Sequence, residues 1–206
     1  SSTMDVVGPI CRSVDDAARV LAVMVDPRPA GAEAARAATA LRAGPPARAS
    51  LAGKRFGVLA NLFGKGPEPA GMSKFLQQSV AWQDPLAMPE YREALRYGDT
   101  LRRKMLDLMD TQALDAMVYP AQKRPPLAVG DAPRPERNGI FASALGFPAI
   151  DLPAGFTPPD AGAPVGLPVG LDMLARPGDD VRLLGLALAV EQTLQARRKP
   201  PTADRR

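Results

Sequence analysis

The sequence predicts an α/β fold in which helices cover a β-sheet. Two apolar segments near the C-terminus, residues 146–156 and 168–174, are bounded by glycine and proline as strands often are, and they flank one long loop. Residues 89–112 repeat apolar side chains at three- and four-residue intervals, which indicates a long amphipathic helix. A chain of 206 residues with 46% hydrophobic content is long enough to bury a core around these elements.

The first helix is predicted to begin at Ser13. Ser13 and Asp16 have the spacing of a capping box, and apolar residues follow at helical spacing until Pro27 ends the helix. Residues 28–50 are rich in alanine, glycine, proline and arginine, so we expect a flexible linker there, although a loose helix between prolines fits the same composition. Residues 54–59 then predict a strand.

The middle of the chain is predicted to contain a loop and two helices. Glycine and proline mark a loop at residues 64–71, and residues 74–82 predict a short helical piece. The long helix has Pro89 in its first turn, where proline is well tolerated. Its apolar side consists of Tyr91, Leu95, Leu101, Met105, Leu108 and Met109. We therefore expect this helix to pack against the core, with its methionines filling gaps.

The last strand and the last helix complete the predicted fold. Residues 169–174 alternate less than the strand before them, so we expect them to be buried on both faces of the sheet. Residues 179–197 predict a helix that begins with aspartates and ends with arginines, as the helix dipole favours. We expect this helix to pack across the sheet, and residues 197–206 to form a basic tail.

The residues that are missing or rare limit the chemistry. The sequence contains no histidine, which excludes Ser-His-Asp and Cys-His pairs within the chain and removes the commonest zinc ligand. Its single cysteine, Cys11, follows a Gly-Pro-Ile turn directly into a helix, and we interpret it as a buried structural thiol rather than a nucleophile. One cysteine fits a reducing compartment, so we expect a cytoplasmic location.

The charge pattern favours a solvated surface over a nucleic-acid or membrane partner. The net charge is +4, and Arg102, Arg103 and Lys104 lie on the polar side of the long helix. Ten aromatic residues without basic interleaving do not resemble a single-strand-binding surface. No apolar run approaches the length of a membrane span, and the N-terminus lacks a signal-peptide pattern.

Four segments in order resemble the C-terminal half of amidase signature enzymes. They are STMDVVGPICRSVDDAARVL, LAGKRFGVL, LDAMVYPAQKRPP, and GFPAIDLPAGF with the following PVGLDML. The resemblance implies that residues 1–206 are one portion of an amidase domain, part of a mixed β-sheet covered by helices and incomplete on its N-terminal side. The chain departs from the family pattern between residue 59 and the long helix, where a helix-strand unit is nearly absent.

The resemblance also implies a hydrolase that cleaves an amide C–N bond with a Ser-Ser-Lys triad located upstream. This chain has no Gly-Gly pair and no GxSxG elbow, and its one Ser-Ser pair, at residues 1–2, belongs by family order to the turn before Asp5. None of the six lysines receives a catalytic role. We therefore expect no catalytic residue, no metal ligand and no cofactor in this chain, and no activity from the chain alone.

The resemblance places two substrate-binding candidates, Asn138 and Phe141, in the predicted loop at residues 130–143. The alternative interpretation of these residues is a turn asparagine and a core phenylalanine.

Two functions from different classes remain open. The chain is either the C-terminal part of an amidase with a small amide substrate, or a non-catalytic remnant or interaction module that keeps the amidase scaffold. An RNA-associated module is a third interpretation, because some members of the family act on aminoacyl-tRNA. In each case we expect exposed sheet surface to promote association or homodimer formation.

Overall fold

The computed structural model describes residues 6–25, 32–44, 46–62, 88–128, 130 and 138–199. The predicted loop at 64–71 and the short helix at 74–82 lie outside the described residues, as do most of the basic tail and residues 131–137. The helices are α1 (Val14–Met24), α2 (Ala32–Arg42), α3 (Pro89–Thr111), α4 (Ile140–Leu145) and α5 (Asp180–Leu194). The strands are β1 (Phe56–Val58), β2 (Ala116–Pro120), β3 (Ala149–Phe156) and β4 (Pro168–Leu174), and a 3₁₀ turn (Ala60–Leu62) follows β1.

The four strands form one mixed sheet in the order β1-β2-β4-β3. β1 and β2 are parallel, whereas β4 is antiparallel to both β2 and β3. β3 and β4 therefore form a hairpin around the long loop, as the sequence predicted. The β3–β4 register shifts between Pro153 and Gly155, where the glycine has a φ of 148°. Within the described sheet, β1 and β3 are the edge strands.

One face of the sheet is covered by α1, α2 and α5. Alternate strand residues point to this face and pack with apolar residues of the three helices. The buried members of this cluster are Val14, Ala18, Leu41, Ala116, Leu152, Met173, Ala175, Leu183, Leu184, Leu186 and Ala187. The prediction that the last helix packs across the sheet is confirmed.

The opposite face carries α3 and α4. Met105 and Met109 of α3 are buried against Met117 and Tyr119 of β2 and Phe147, so the predicted core role of these methionines is confirmed. α3 begins with Pro89 in its first turn, as expected. In β4 the last three residues, 172–174, are buried on both faces, but Pro168 and Val169 at its start are exposed.

The start of α1 is capped from two directions. The Asp16 N–H donates to Ser13 Oγ at 3.1 Å, which confirms the predicted cap. The Val14 N–H donates to both carboxylate oxygens of Glu191 on α5, at 3.1 and 3.2 Å. A carboxylate at a helix N-terminus satisfies unpaired N–H groups and complements the helix dipole. Glu191 therefore connects α1 to α5 across the covered face.

Two predictions are corrected by the structure. Residues 32–42, expected to belong to a flexible linker, form α2, because alanine is a strong helix former and Ala38 and Leu41 are buried, each 3% exposed. Cys11, expected to be buried, is exposed. It lies just before α1 in a stretch without regular structure, where Ile10 is exposed too, so no neighbouring element covers the thiol.

Candidate functional site

The predicted site residues lie at a cavity between α3 and α4. The cavity has a volume of about 710 Å³, within the range of about 300–1,000 Å³ typical of small-molecule sites. Its walls include Leu95 and Leu101 of α3 and Phe141 of α4, which are apolar, together with Asn138 and Lys123. The structure thus brings Asn138 and Phe141 together at one concave surface.

Asn138 is held in one orientation by the main chain. The side chain is 1% exposed, and its Nδ2 donates to the carbonyl oxygens of Leu62 at 2.8 Å and Pro120 at 2.7 Å. Its Oδ1 is buried and has no hydrogen-bond partner. Because both Nδ2 hydrogens are engaged, the amide cannot rotate without breaking two hydrogen bonds. Asn138 therefore has a fixed, unpaired side-chain acceptor beside the cavity, and its carbonyl also accepts a turn hydrogen bond from the Phe141 N–H at 3.0 Å.

Phe141 forms part of the cavity wall and contacts the core behind it. Its ring meets the Tyr119 ring edge to face, with centroids 5.9 Å apart and an angle of 78° between the planes. Phe141 is half-buried, whereas Tyr119 is 1% exposed. Phe141 therefore lines the cavity and also contacts the core, as its alternative interpretation predicted.

Arg102 fixes the position of α4 at the cavity. The sequence placed this residue on a solvated helix side, but its Nη1 donates to the carbonyl oxygens of Leu145 at 2.8 Å and Gly146 at 3.1 Å. The guanidinium also lies over the Phe147 ring, 5.6 Å from its centroid. Gly146 has a φ of 67°, and a Cβ there would lie 2.5 Å from Arg102 Nη1. Glycine at this position thus permits both the helix end and the arginine contact.

A row of polar side chains on the same face of the sheet was not found from the sequence. Asp172 of β4 lies directly opposite Tyr119 of β2 and directly opposite Asp151 of β3, so the three side chains share one face. Asp172 is 7% exposed. Burial, and then the charge of Asp151, raise the pKa of Asp172 to about 6. Burial, and then the charge of Asp172, raise the pKa of Tyr119.

The third member of the row, Asp151, is exposed, and its carboxyl lies over Gly170. Packing around this carboxyl raises its pKa. One signal for the row was present in the sequence, because a carboxylate within an otherwise apolar strand is rarely buried without a reason. What the sequence did not contain was the strand register that brings the three residues together.

The described serines and Lys54 have local structural contacts. Ser13 caps α1, the Ser50 Oγ accepts a hydrogen bond from the Ala52 N–H at 3.3 Å, and the Ser143 Oγ donates to the Ile140 carbonyl at 3.1 Å. Lys54 forms an ion pair with Asp115 at 3.4 Å. These contacts assign capping and ion-pair roles to the groups concerned.

In the described part of the chain, no group of three or more histidine, cysteine, aspartate or glutamate residues has a metal-binding arrangement. None of the described helices is long and apolar enough to cross a bilayer.

Comparison with known proteins relates the chain to enzymes that hydrolyse amides. No family model matches the sequence. The chain is 32% identical over 140 residues to mandelamide hydrolase of Pseudomonas putida, which covers 64% of this chain and 24% of that enzyme. It is 34% identical over 116 residues to indoleacetamide hydrolase of Pseudomonas savastanoi, covering 53% and 24% respectively.

The fold is similar to that of a peptide amidase. The native enzyme from Stenotrophomonas maltophilia aligns with a TM-score of 0.57 at 20% identity, over 97% of this chain and 55% of that one. Its structure with the inhibitor chymostatin gives a TM-score of 0.58 at 22% identity. The chain therefore spans about a quarter of the length of the curated relatives named above and just over half of the peptide amidase. Its mixed sheet and helices correspond to part of a larger fold.

Proposed function

Since this chain belongs to the amidase signature family, we propose that it forms the substrate-facing C-terminal half of an enzyme that hydrolyses an amide C–N bond. The observation that carries the proposal is its similarity to mandelamide hydrolase over 140 residues, which amount to 64% of the chain. Because the chain spans only part of such enzymes, we propose that it contributes substrate-binding surface rather than catalytic groups.

In this proposal the catalytic groups come from polypeptide outside this chain. The sequence has no histidine, and its described serines are engaged in local main-chain contacts. The family mechanism requires two serines and a neutral lysine, and a lysine is neutral only in a desolvated or electropositive site. Lys54 is instead engaged in an ion pair with Asp115.

The cavity between α3 and α4 is proposed to hold the acyl side of the substrate. Its apolar walls at Leu95, Leu101 and Phe141 suit a hydrocarbon or aromatic group. The unpaired Asn138 Oδ1 beside the cavity is suited to accept a hydrogen bond from an amide N–H. Amides of aromatic acids are therefore the substrate class that we propose, in keeping with the names of the mandelamide and indoleacetamide hydrolases.

The alternative is a non-catalytic module that keeps the scaffold. Its specific support is the exposed apolar surface near the sheet edge, where Val165 and Val169 are 54% and 38% exposed. Such a surface is suited to bind another polypeptide. In either case we propose a cytoplasmic location, supported by the single cysteine in the sequence.

Ammonia release from mandelamide and indoleacetamide tests the enzymatic proposal. The chain alone is expected to give no turnover, because the triad is supplied by other polypeptide. A chimera in which this chain replaces the matching segment of mandelamide hydrolase is expected to hydrolyse the amide. In that chimera Asn138→Ala should raise KM or lower kcat by at least about tenfold, since the proposed bond to the substrate is lost together with the two bonds to Leu62 and Pro120. Gln122→Ala, an exposed position on the β2 side, is the matched control.

Turnover by the chain alone would contradict the proposal that the catalytic groups come from polypeptide outside this chain. A folded chimera without turnover would favour the interaction module. The gene sequence immediately upstream of Ser1 gives an independent test. A lysine codon followed in frame by a Gly/Ser-rich stretch supports the enzyme, whereas a stop codon there supports the remnant.

A further inference from the structure

The polar row on the α3–α4 side of the sheet has the form of a binding site. Asp172 is the central member, with Tyr119 opposite it on β2 and Asp151 opposite it on β3. Side chains directly opposite one another on antiparallel strands have Cβ atoms about 5 Å apart. The two carboxyl groups therefore lie close enough for one small group to contact both.

The row contains two carboxyl groups but no cationic hydrogen-bond donor. Asp172 is 7% exposed, yet no described lysine or arginine forms an ion pair with Asp172 or Asp151. The Tyr119 hydroxyl is also buried, and it has no hydrogen-bond partner. Like charges directly opposite each other in a sheet are unfavourable, and buried charges ordinarily have a partner. The arrangement thus lacks a cationic hydrogen-bond donor.

We propose that Asp151 and Asp172 together bind one primary ammonium group of an organic cation, with the Tyr119 hydroxyl supporting the Asp172 carboxylate. An ammonium is a compact charge with three hydrogen-bond donors, so it can donate to both carboxylates at once. Tyr119 then donates to a remaining lone pair of Asp172, and the buried hydroxyl gains the partner that it lacks.

Other cations fit the row less well. A guanidinium presents a planar fork that matches a single carboxylate, whereas this site has two carboxylates on different strands. Calcium and magnesium take six or more oxygen ligands, and the described residues offer no third carboxylate for such a cluster. The chemistry of the row therefore favours an ammonium over a guanidinium or a divalent metal.

The site is open from the side of Asp151. Asp151 lines a cavity of about 640 Å³, to which Pro153 and Val169 contribute apolar walls for the organic part of a ligand. A Cβ at Gly170 would lie 2.5 Å from Asp151 Oδ1, so glycine at this position makes room for the carboxyl.

Three arginines, Arg12, Arg197 and Arg198, line the same cavity, and the position of Arg198 is defined by an aromatic ring. Arg198 lies over the ring of Phe156, 4.3 Å from its centroid. Phe156 follows Asp151 by five positions, which is about 16 Å along a strand. Because this distance exceeds the screening length of about 8 Å at physiological salt, the arginine does not prevent a cation from binding at Asp151.

Binding should strengthen as the pH rises through the titration of the pair. The titratable groups that act on Asp172 are Asp151 from β3 and Tyr119 from β2, and the α3–α4 side contributes Met109 and other apolar residues to the cluster around Tyr119. Burial raises the pKa of Asp172 to about 6, and an ammonium binds the ionised carboxylates. We therefore expect weak binding at pH 5 and full binding above pH 7.

Titration of the 206-residue chain with ethylammonium chloride tests the site. Saturable carboxyl chemical-shift changes at Asp172 and a rise in the melting temperature are expected, together with a fall of about one unit in the Asp172 pKa. Tetramethylammonium, which has no N–H, and sodium chloride at equal ionic strength should produce neither change. Equal responses to the three salts would overturn the proposal.

Variants connect the response to the carboxyl pair. Asp172→Asn should abolish saturable binding, and Asp151→Asn, at an exposed position that does not challenge folding, should weaken it by about tenfold. Asp107→Asn on the exposed side of α3 should bind ethylammonium like the unchanged chain. Undiminished binding by Asp151→Asn would also overturn the proposal.

A lysine side chain and a small amine present the same group, and a second probe separates them. Tighter binding of Nα-acetyl-lysine amide than of ethylammonium would assign the site to a lysine of another polypeptide segment. Weaker binding would assign it to a small amine. Both readouts are independent of amide hydrolysis, so failure of this site and failure of the proposed function are distinguishable.

Discussion

The two faces of the sheet differ in how completely this chain covers them. On the α1, α2 and α5 side, Met173 and Leu186 are 0% exposed, and the buried cluster contains no ionisable residue. On the α3 and α4 side, the helices pack on β2 and the end of β4, while Asp151 and Pro153 stay exposed. The first face is fully covered by helices, whereas the second is covered over only part of its area.

The difference indicates where stability and chemistry are located. Apolar burial is the main source of folding free energy, so the covered face should dominate the stability of the chain. Fixed polar groups with unmet hydrogen-bonding capacity lie on the other face, at Asn138 and Tyr119. Unsatisfied buried groups are costly, and their occurrence on one face fits a surface that receives a ligand or another polypeptide segment.

The largest expected effect comes from breaking the covered face. Leu186→Ala removes a fully buried side chain of α5 and should lower the free energy of unfolding by about 4 kcal/mol. The matched change on the other face is Leu95→Ala, at a position that is 45% exposed, where we expect a loss below about 1 kcal/mol. Urea denaturation of the two variants measures the difference, and equal losses would contradict the contrast between the faces.

An intermediate effect is expected from the charge on the partly covered face. Burial raises the pKa of Asp172 to about 6, so the folded chain binds this proton more tightly than the unfolded chain does. The stabilising contribution is therefore complete below about pH 4 and is lost as the pH rises through 6, by about 3 kcal/mol in total.

The variant Asp172→Asn isolates this titration. It should remove most of the fall in stability between pH 4 and pH 7, since the amide does not ionise. Asp107→Asn, at an exposed position on α3, should leave the fall unchanged. Chemical denaturation at a series of pH values gives both curves. A fall that persists undiminished in Asp172→Asn would assign the pH dependence to other groups.

The sequence predicted the elements whose signals are local. Ser13, Pro89 and the apolar periodicity of α3 set helix boundaries within a few residues, and glycine and proline delimited the β3–β4 hairpin. α2 was mistaken for a linker because its alanine-rich segment has little periodicity of its own. Its stability depends on the burial of Leu41 against other elements, which is a tertiary effect.

The candidate site was predictable only in part. Asn138 and Phe141 were found by family resemblance, but the Leu62 carbonyl that holds Asn138 lies 76 positions away in the sequence. Asp172 and Asp151 become neighbours through strand register, which depends on long-range pairing rather than on local pattern. Sequence reasoning therefore reached the residues that a family places at a site, but not the contacts that orient them.

The smallest change in folding free energy is expected from an added surface charge near the sheet edge. This change directly tests the partly covered face. Exposed apolar residues and an unpaired edge strand favour association between chains, so the unchanged protein should form dimers or larger species as its concentration rises. Ala149→Lys, at an exposed position of the edge strand β3 on the α3–α4 side, should reduce this association while changing stability by less than about 0.5 kcal/mol. Val23→Lys is the matched control, because Val23 is 85% exposed on α1.

Sedimentation velocity over a range of concentrations separates the two faces in this respect. If association uses the partly covered face, Ala149→Lys shifts the distribution toward monomer and Val23→Lys does not. Equal shifts would mean that added positive charge, rather than its position, governs association. A monomer with cooperative melting at every concentration would show that this face is stable in water without a partner, and its unmet polar groups would then have to be explained by small ligands alone.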